Sequence, residues 1–102
     1  MKTKTPDLVA ATELRLYLHN DRKIYFQYLI PAVKNMKIKK NKGVYDHSLA
    51  PKLWQYVVDE CARRYTQEFG GTWYEIFDLP TRRKLANDLA DHYSAMIDDG
   101  EI

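Results

Sequence analysis

Three histidines and one cysteine are the residues of this 102-residue chain with the widest chemical range. A zinc site on a helix needs two such ligands three or four positions apart, on one face. His19, His47 and His92 have no histidine or cysteine at either spacing, and no metal or cofactor is expected. Asp46 and His47 are neighbours, a pairing that could orient an imidazole for proton transfer. They stand at a helix start, where aspartate is a cap and histidine merely adjoins it, and capping or packing is the expected role. His92 adjoins Tyr93 at the edge of a polar helix face. Cys61 falls in an apolar stripe, where a thiol behaves as a small, inert hydrophobe. Gly70-Gly71, the only glycine pair, follows a helix instead of opening one, so it is not a phosphate loop. The sequence has no Gly-x-Ser-x-Gly elbow and no recognisable Cys/His nucleophile frame. The protein is therefore expected not to be an enzyme.

Charge is the other chemical resource. The net charge of +2 hides an asymmetry. Residues 1–43 carry ten Lys/Arg against three Asp/Glu, a balance of +7, and residues 44–102 carry six against eleven, a balance of −5. Halves of opposite sign either attract each other in the folded chain or give the molecule a basic end for a partner. Lys34, Lys37, Lys39, Lys40 and Lys42 crowd one helix end before Gly43. One or two lysines there would complement the helix dipole, at about 0.3–1 kcal/mol each, and five exceed that need. Arg82, Arg83 and Lys84 form a second basic cluster. Both clusters are candidate partner- or nucleic-acid-binding residues. Against nucleic acid, the total charge is small. The helix following the basic end exposes Gln55, Asp59 and Glu60 beside Lys52 and Arg63, a mixture suited to water more than to a DNA groove.

The elements that position these groups are helical. The expected fold class is all-α: a compact bundle of about four helices in a single domain, 1–102, with residues 1–6 flexible. Asp7, behind Pro6, caps a first segment that reaches His19. Leu14 and Leu18 repeat at i, i+4. Leu14, Leu16 and Leu18 also alternate at period 2, so an edge strand competes, but no second alternating segment offers it a partner. Asn20-Asp21 open a second segment that runs to about Asn41 with a kink expected at Pro31. A third has the 3-4 spacing of a buried face from Ala50 through Trp54, Val58, Cys61 and Tyr65 to Phe69. Asp46 or Ser48 caps its start, and Gly70-Gly71 ends it as an αL cap. Residues 72–78 are too apolar to move freely in water and predict a pinned loop with a short helical turn, plugging one end of the core. A fourth segment, from about Pro80-Thr81 to near Gly100, buries Leu85, Ala86, Leu89, Ala90, Tyr93, Met96 and Ile97. Its ends oppose the macrodipole, with Arg82, Arg83 and Lys84 in the first turn and Asp98, Asp99 and Glu101 at the close. Ion pairs with other segments, or a ligand or partner, would account for that.

The middle of the second segment is apolar nearly all round. Tyr25, Phe26, Tyr28 and Leu29 are accordingly candidate self-association residues, because three neighbouring helices hardly enclose a fourth, and a twofold homodimer is expected. The nearly apolar run 24–33 is about half of the ~20 residues that span a bilayer. With a single cysteine and no apolar stretch behind the basic N-terminus, the protein is expected to be cytoplasmic and free of membrane. Thirteen aromatic residues, eight of them tyrosine, exceed what a small core needs, and tyrosine is enriched at contact surfaces.

Two stretches carry a resemblance. Tyr45-Asp46-His47-Ser48-Leu49-Ala50-Pro51-Lys52-Leu53 continues into Trp54-Gln55-Tyr56, and an earlier Asn20-Asp21-Arg22-Lys23-Ile24-Tyr25 precedes it. With Ala62-Arg63-Arg64-Tyr65-Thr66-Gln67-Glu68-Phe69, they resemble a set of short, functionally unassigned bacteriophage and mobile-element proteins built on a Tyr-Asp-His-x-Leu-Ala-x-Lys-Leu core. The likeness covers about three quarters of the chain and brings no catalytic or binding residue with it. It implies a setting, a small accessory protein acting inside a bacterium. Such a protein is expected to bind a host or phage protein, for instance to inhibit a defence, replication or transcription complex. Non-sequence-specific nucleic-acid binding is the alternative.

Overall fold

The computed structural model describes residues 5–100. They form an all-α bundle of four long helices with short helical pieces between them, and no strand occurs among the described residues. Helix α1 (Leu8–Asn20) begins where the Asp7 carboxylate accepts the N–H groups of Val9 and Ala10, both at 3.1 Å. Those donors have no partner within the helix, so a side-chain acceptor there stabilises its first turn. The Asp7 N–H donates to Thr81 Oγ1 at 3.0 Å, tying the head of α1 to the head of the last helix. Leu14 and Leu18 are fully buried while Leu16 is exposed, so the i, i+4 pattern prevails over the period-2 one. Of the six leading residues expected to be flexible, 1–4 lie outside the described residues.

The Asp21 carboxylate caps the next stretch through the Ile24 N–H at 3.0 Å and receives Arg64 Nε at 3.3 Å. From there α2 (Arg22–Ile24), a π turn (Tyr25–Leu29) and α3 (Ile30–Asn41) follow without a break. Where the sequence predicts a kink at Pro31, the structure has the π turn just before it, with the Ile30 N–H bonded to the Tyr25 carbonyl five residues back. A proline ring crowds the carbonyl four residues earlier, here Gln27, and the π turn widens the helix over that segment. The wider turn also brings Ile24 and Leu29, five apart, onto the same buried side.

Helices α4 (Ala50–Phe69) and α6 (Leu79–Asp98) make the centre of the core, with α5 (Trp73–Ile76) between them. Trp54 of α4 stacks on Tyr93 of α6, ring centroids 4.8 Å apart and planes 12° from parallel. Its indole N–H donates to Met36 Sδ at 3.3 Å and so fastens α3 to the same pair. Val58, Cys61, Leu85 and Leu89 fill the seam. Tyr65 is half-buried, and Phe69 is exposed although the apolar spacing reaches it. The stripe there runs past the edge of the core, where the rings of Tyr17 and Tyr65 are its neighbours.

Local signals at the helix ends hold in part. Neither Asp46 nor Ser48 is the N-cap of α4, which is Leu49. Asp46 instead accepts the N–H and hydroxyl of Ser48 at 2.9 and 2.7 Å and fixes the preceding turn. Gly70 closes α4 at φ +89, ψ 169, an extended conformation open mainly to glycine and not the expected αL cap. The connection is pinned as predicted: Phe77 is wholly buried at its end. Helix α6 starts at Leu79 because Asp78 caps it, accepting the Thr81 N–H at 3.1 Å and hydroxyl at 2.6 Å. Helix α1 lies across α4 and α6, and α3 meets that pair along one side, giving a slab of 41 × 36 × 17 Å. No helix of the described residues is long and apolar enough to cross a membrane.

Candidate interaction surface

The lysine-rich end of α3 is built on an ordered stop. Gly43, at φ +72, donates its N–H to the Lys40 carbonyl, and the Val44 N–H reaches back to the Lys39 carbonyl. These two reverse bonds are the Schellman closure, which satisfies the last free carbonyls of a helix. At about 100° per residue, Lys34 and Lys37 lie opposite the buried Ala32 and Met36, whereas Lys39 turns toward α4 and Lys40 toward α6. The five lysines are a collar around the helix end. Lys34, Lys37, Lys39 and Lys42 are exposed and hold no ion pair among the described residues. Lys40 Nζ lies 3.2 Å from Asp98 Oδ1, and His47 Nε2 lies 3.5 Å from Asp98 Oδ2. Those contacts give Asp98 at the end of α6 the cross-segment partners that its unfavourable place in the helix dipole calls for.

The second basic cluster divides, and Arg82 leaves the candidate surface. It is 7 % exposed. Its Nε donates to the Phe77 carbonyl at 2.8 Å, its Nη1 to Asp59 Oδ1 at 2.6 Å, and its guanidinium lies over the Trp73 ring, 4.5 Å from the centroid. Arg63 lies over the same ring at 4.7 Å. The planar guanidinium does here what a lysine could not: it satisfies a buried carbonyl, a carboxylate and an aromatic face together. Lys84 pairs with Asp88 along its own helix at 3.0 Å, and Arg83 is exposed. From Lys84 to Asp98 is fourteen residues of α6, so about 21 Å separates this cluster from the collar. The two basic groups are not one surface.

The candidate self-association residues also part. Leu29 is 2 % exposed and belongs to the core, which removes it from that patch. Tyr28 faces α4, where its ring centroid lies 6.2 Å from that of Tyr56. Tyr25 and Phe26 remain together on the other side in edge-to-face contact at 5.2 Å, with Phe26 exposed.

Between the π turn and α3 on one side and α4 on the other runs a groove. Pro31, Ala32 and Asn35 are short side chains on the α3 wall, so the helices do not close on each other there. Its middle is an apolar cleft of about 210 Å³ bounded by Tyr28, Pro31, Leu53 and Tyr56, with Ala32 and Val57 beneath. Toward the collar it continues past Lys39 to Val44 and Leu49, both exposed. Toward the other end it becomes polar, between Gln27, Glu60, Arg63 and Gln67. From Leu49, the N-cap of α4, to Gln67 is eighteen residues, about 27 Å along the helix. Val44, Leu49 and Tyr56 were not singled out by sequence. Leu49 and Tyr56, seven apart and beside the buried stripe, were the available sign.

The histidines and the cysteine all make contacts within the fold. His19 Nδ1 lies 2.8 Å from the Arg15 carbonyl and Nε2 3.2 Å from the Tyr93 hydroxyl. His92 is edge-on to the Tyr93 ring at 5.0 Å. Burial pushes the Cys61 thiol far above its ordinary range, and its Sγ is 3.8 Å from the Leu14 carbonyl. The Ser48 hydroxyl, with the Ser48 N–H, holds the Asp46 carboxyl below the usual range. No group of three or more metal-ligating side chains occurs among the described residues. No protein-family model, curated protein or solved structure matches this chain, and the chemistry of its surface is what remains to speak for its function.

Proposed function

We propose that this protein is a non-enzymatic, protein-binding accessory factor that works in the bacterial cytoplasm by covering or redirecting a host or phage protein. The observation that carries this reading is the make-up of the collar: four of its five lysines hold no ion pair among the described residues, and they stand beside the exposed apolar side chains Ile38, Val44 and Leu49. Cations next to apolar surface that can be desolvated suit an acidic protein surface, where charge steers and apolar contact holds. A phosphate backbone would use the cations and leave the aliphatics wet. The phage or mobile-element setting, and with it interference with a defence, replication or transcription complex, rests on the resemblance of the Tyr45–Leu53 core.

The test is the quadruple variant Lys34→Gln/Lys37→Gln/Lys39→Gln/Lys40→Gln. Exposed substitutions of this kind change stability by about 0.5 kcal/mol or less each. In nuclease-treated bacterial lysate at low salt, the parent protein is expected to retain an acidic protein that the variant does not. Capture of the same proteins by both would remove the collar from the function. The same lysines suit the nucleic-acid alternative. A gel shift with unrelated duplex DNA or RNA at physiological salt, lost in the quadruple variant, would favour that reading instead.

A further inference from the structure

We infer that the groove between α3 and α4 is the seat of an acidic, amphipathic α-helix presented by the partner protein. The inference rests on the protein-binding reading above and adds which part of the molecule holds the partner and in what conformation. Two observations converge. The groove is apolar at its centre, where the half-buried Tyr28 and Leu53 and the exposed Pro31 and Tyr56 offer an anchor pocket of about 210 Å³. Tyrosines at such a place bring rigid apolar area with a polar tip, the residue type that anchors interfaces. Cations stand along both walls of the groove: Lys39 lines it beside Asp46, and Lys52 is exposed on α4. Its length of about 27 Å sets the occupant at about eighteen residues of helix.

The conformation follows from the walls. Both are helices whose backbone groups are already bonded within them. A strand-forming peptide gains its hydrogen bonds from a sheet edge, which these walls do not offer, and a helix brings its N–H and C=O groups already satisfied. The occupant therefore sets apolar side chains at i, i+3 or i+4 and i+7 over Tyr28, Leu53 and Tyr56, and turns Asp or Glu toward the lysines on either side. The Arg63–Glu60 contact of 3.9 Å marks the polar end, where the helix leaves the groove.

The probe is a fluorescein-labelled eighteen-residue peptide with leucines at that spacing and glutamates elsewhere. Its controls are a scrambled peptide of equal composition and an oligo-glutamate of equal length, all at low salt. The designed peptide is expected to bind at least about tenfold more tightly than its scramble and to gain helical dichroism on binding. Tyr56→Ala, at a side chain 57 % exposed and so harmless to the fold, is expected to abolish that preference. Lys34→Gln/Lys37→Gln/Lys39→Gln/Lys40→Gln is expected to weaken all three ligands alike. Equal binding of peptide and scramble, unchanged by Tyr56→Ala, would overturn the groove and leave the lysine collar standing. Sequence-dependent binding indifferent to the lysine changes would keep the groove and overturn its acidic occupant. Failure of every acidic peptide would remove both. A solution mass of twice 12.1 kDa that Tyr56→Ala returns to the single value would put a second copy of this chain in the groove and overturn the proposal.

Discussion

Arg82 gives the sharpest test of the fold, because its role reverses what a run of Arg-Arg-Lys suggests. Arg82→Ala removes the Nε donor to the Phe77 carbonyl, the 2.6 Å pairing with Asp59, and the contact with Trp73. A hydrogen bond involving a charged group contributes about 1.5–3 kcal/mol, and a buried acceptor left unsatisfied costs about 1–3 kcal/mol. Asp59 is partly exposed and keeps Gln55 Nε2 at 2.9 Å, so water and that amide recover part of the loss. The net cost expected is about 2–3 kcal/mol. For a domain of this size each kcal/mol lowers Tm by roughly 4–8 °C, so a fall on the order of 10–20 °C should be seen by thermal circular dichroism. Arg83→Ala, one residue on and exposed, is the control, with a change within about 0.5 kcal/mol. Arg82→Lys keeps a charge near Asp59 but loses the planar contacts, and should lie between the two. Equal stability for the Arg82→Ala and Arg83→Ala proteins would refute the buried arrangement.

Leu89, fully buried on α6, should cost roughly 2–5 kcal/mol when replaced by alanine, read by urea unfolding; a loss under about half a kcal/mol would contradict its place in the core. Asp21 is held below the usual carboxyl range chiefly by the Ile24 N–H, with Arg64 adding to it. Its folded pKa is lower than its unfolded one, so its stabilisation is present above the ordinary carboxyl pKa and is lost as pH falls through the folded value. Asp21→Asn should therefore be less stable than the parent at neutral pH and converge with it in acid; a constant gap across pH would dismiss the ionised cap. With Leu29 buried and Tyr28 turned to α4, the expected dimer patch is reduced to Tyr25 and the exposed Phe26. Light scattering at tens of micromolar should give a mass near 12.1 kDa, and a stable doubling that Phe26→Asp removes would restore the twofold contact.

What was legible in the sequence was what depends on one segment at a time. The 3-4 stripes of α4 and α6 announce their buried faces, and Asp7 and Asp21 announce their caps, since each needs only its own next three residues. Asp78 could have been read the same way, with Thr81 three residues on, but Pro80 drew the helix start to itself. The π turn was not legible: which side chains share a face across Ile24–Leu29 depends on a widened turn that Pro31 favours but does not specify. Arg82, Arg83 and Lys84 look alike as a triplet. Only the arrival of the Phe77 carbonyl, Asp59 and Trp73 from three other places separates the buried one from its neighbours. The groove was out of reach for the same reason, since it is the space between two helices and belongs to neither.

The slab is only 17 Å through in its thinnest direction, which leaves room for one layer of interior side chains, centred on Trp54, Leu89 and Phe77. Phe26, Val44, Leu49, Tyr56 and Phe69 stand outside that layer. The outer set meets the core only at its edge, through Tyr56 on Tyr28 and Phe69 on Tyr17 and Tyr65. Substitution at Phe26, Val44 or Leu49 is expected to leave Trp54, Leu89 and Phe77 in place, as distant sites contribute almost independently to stability. Exposed positions of this chain can therefore change one at a time without loss of the fold.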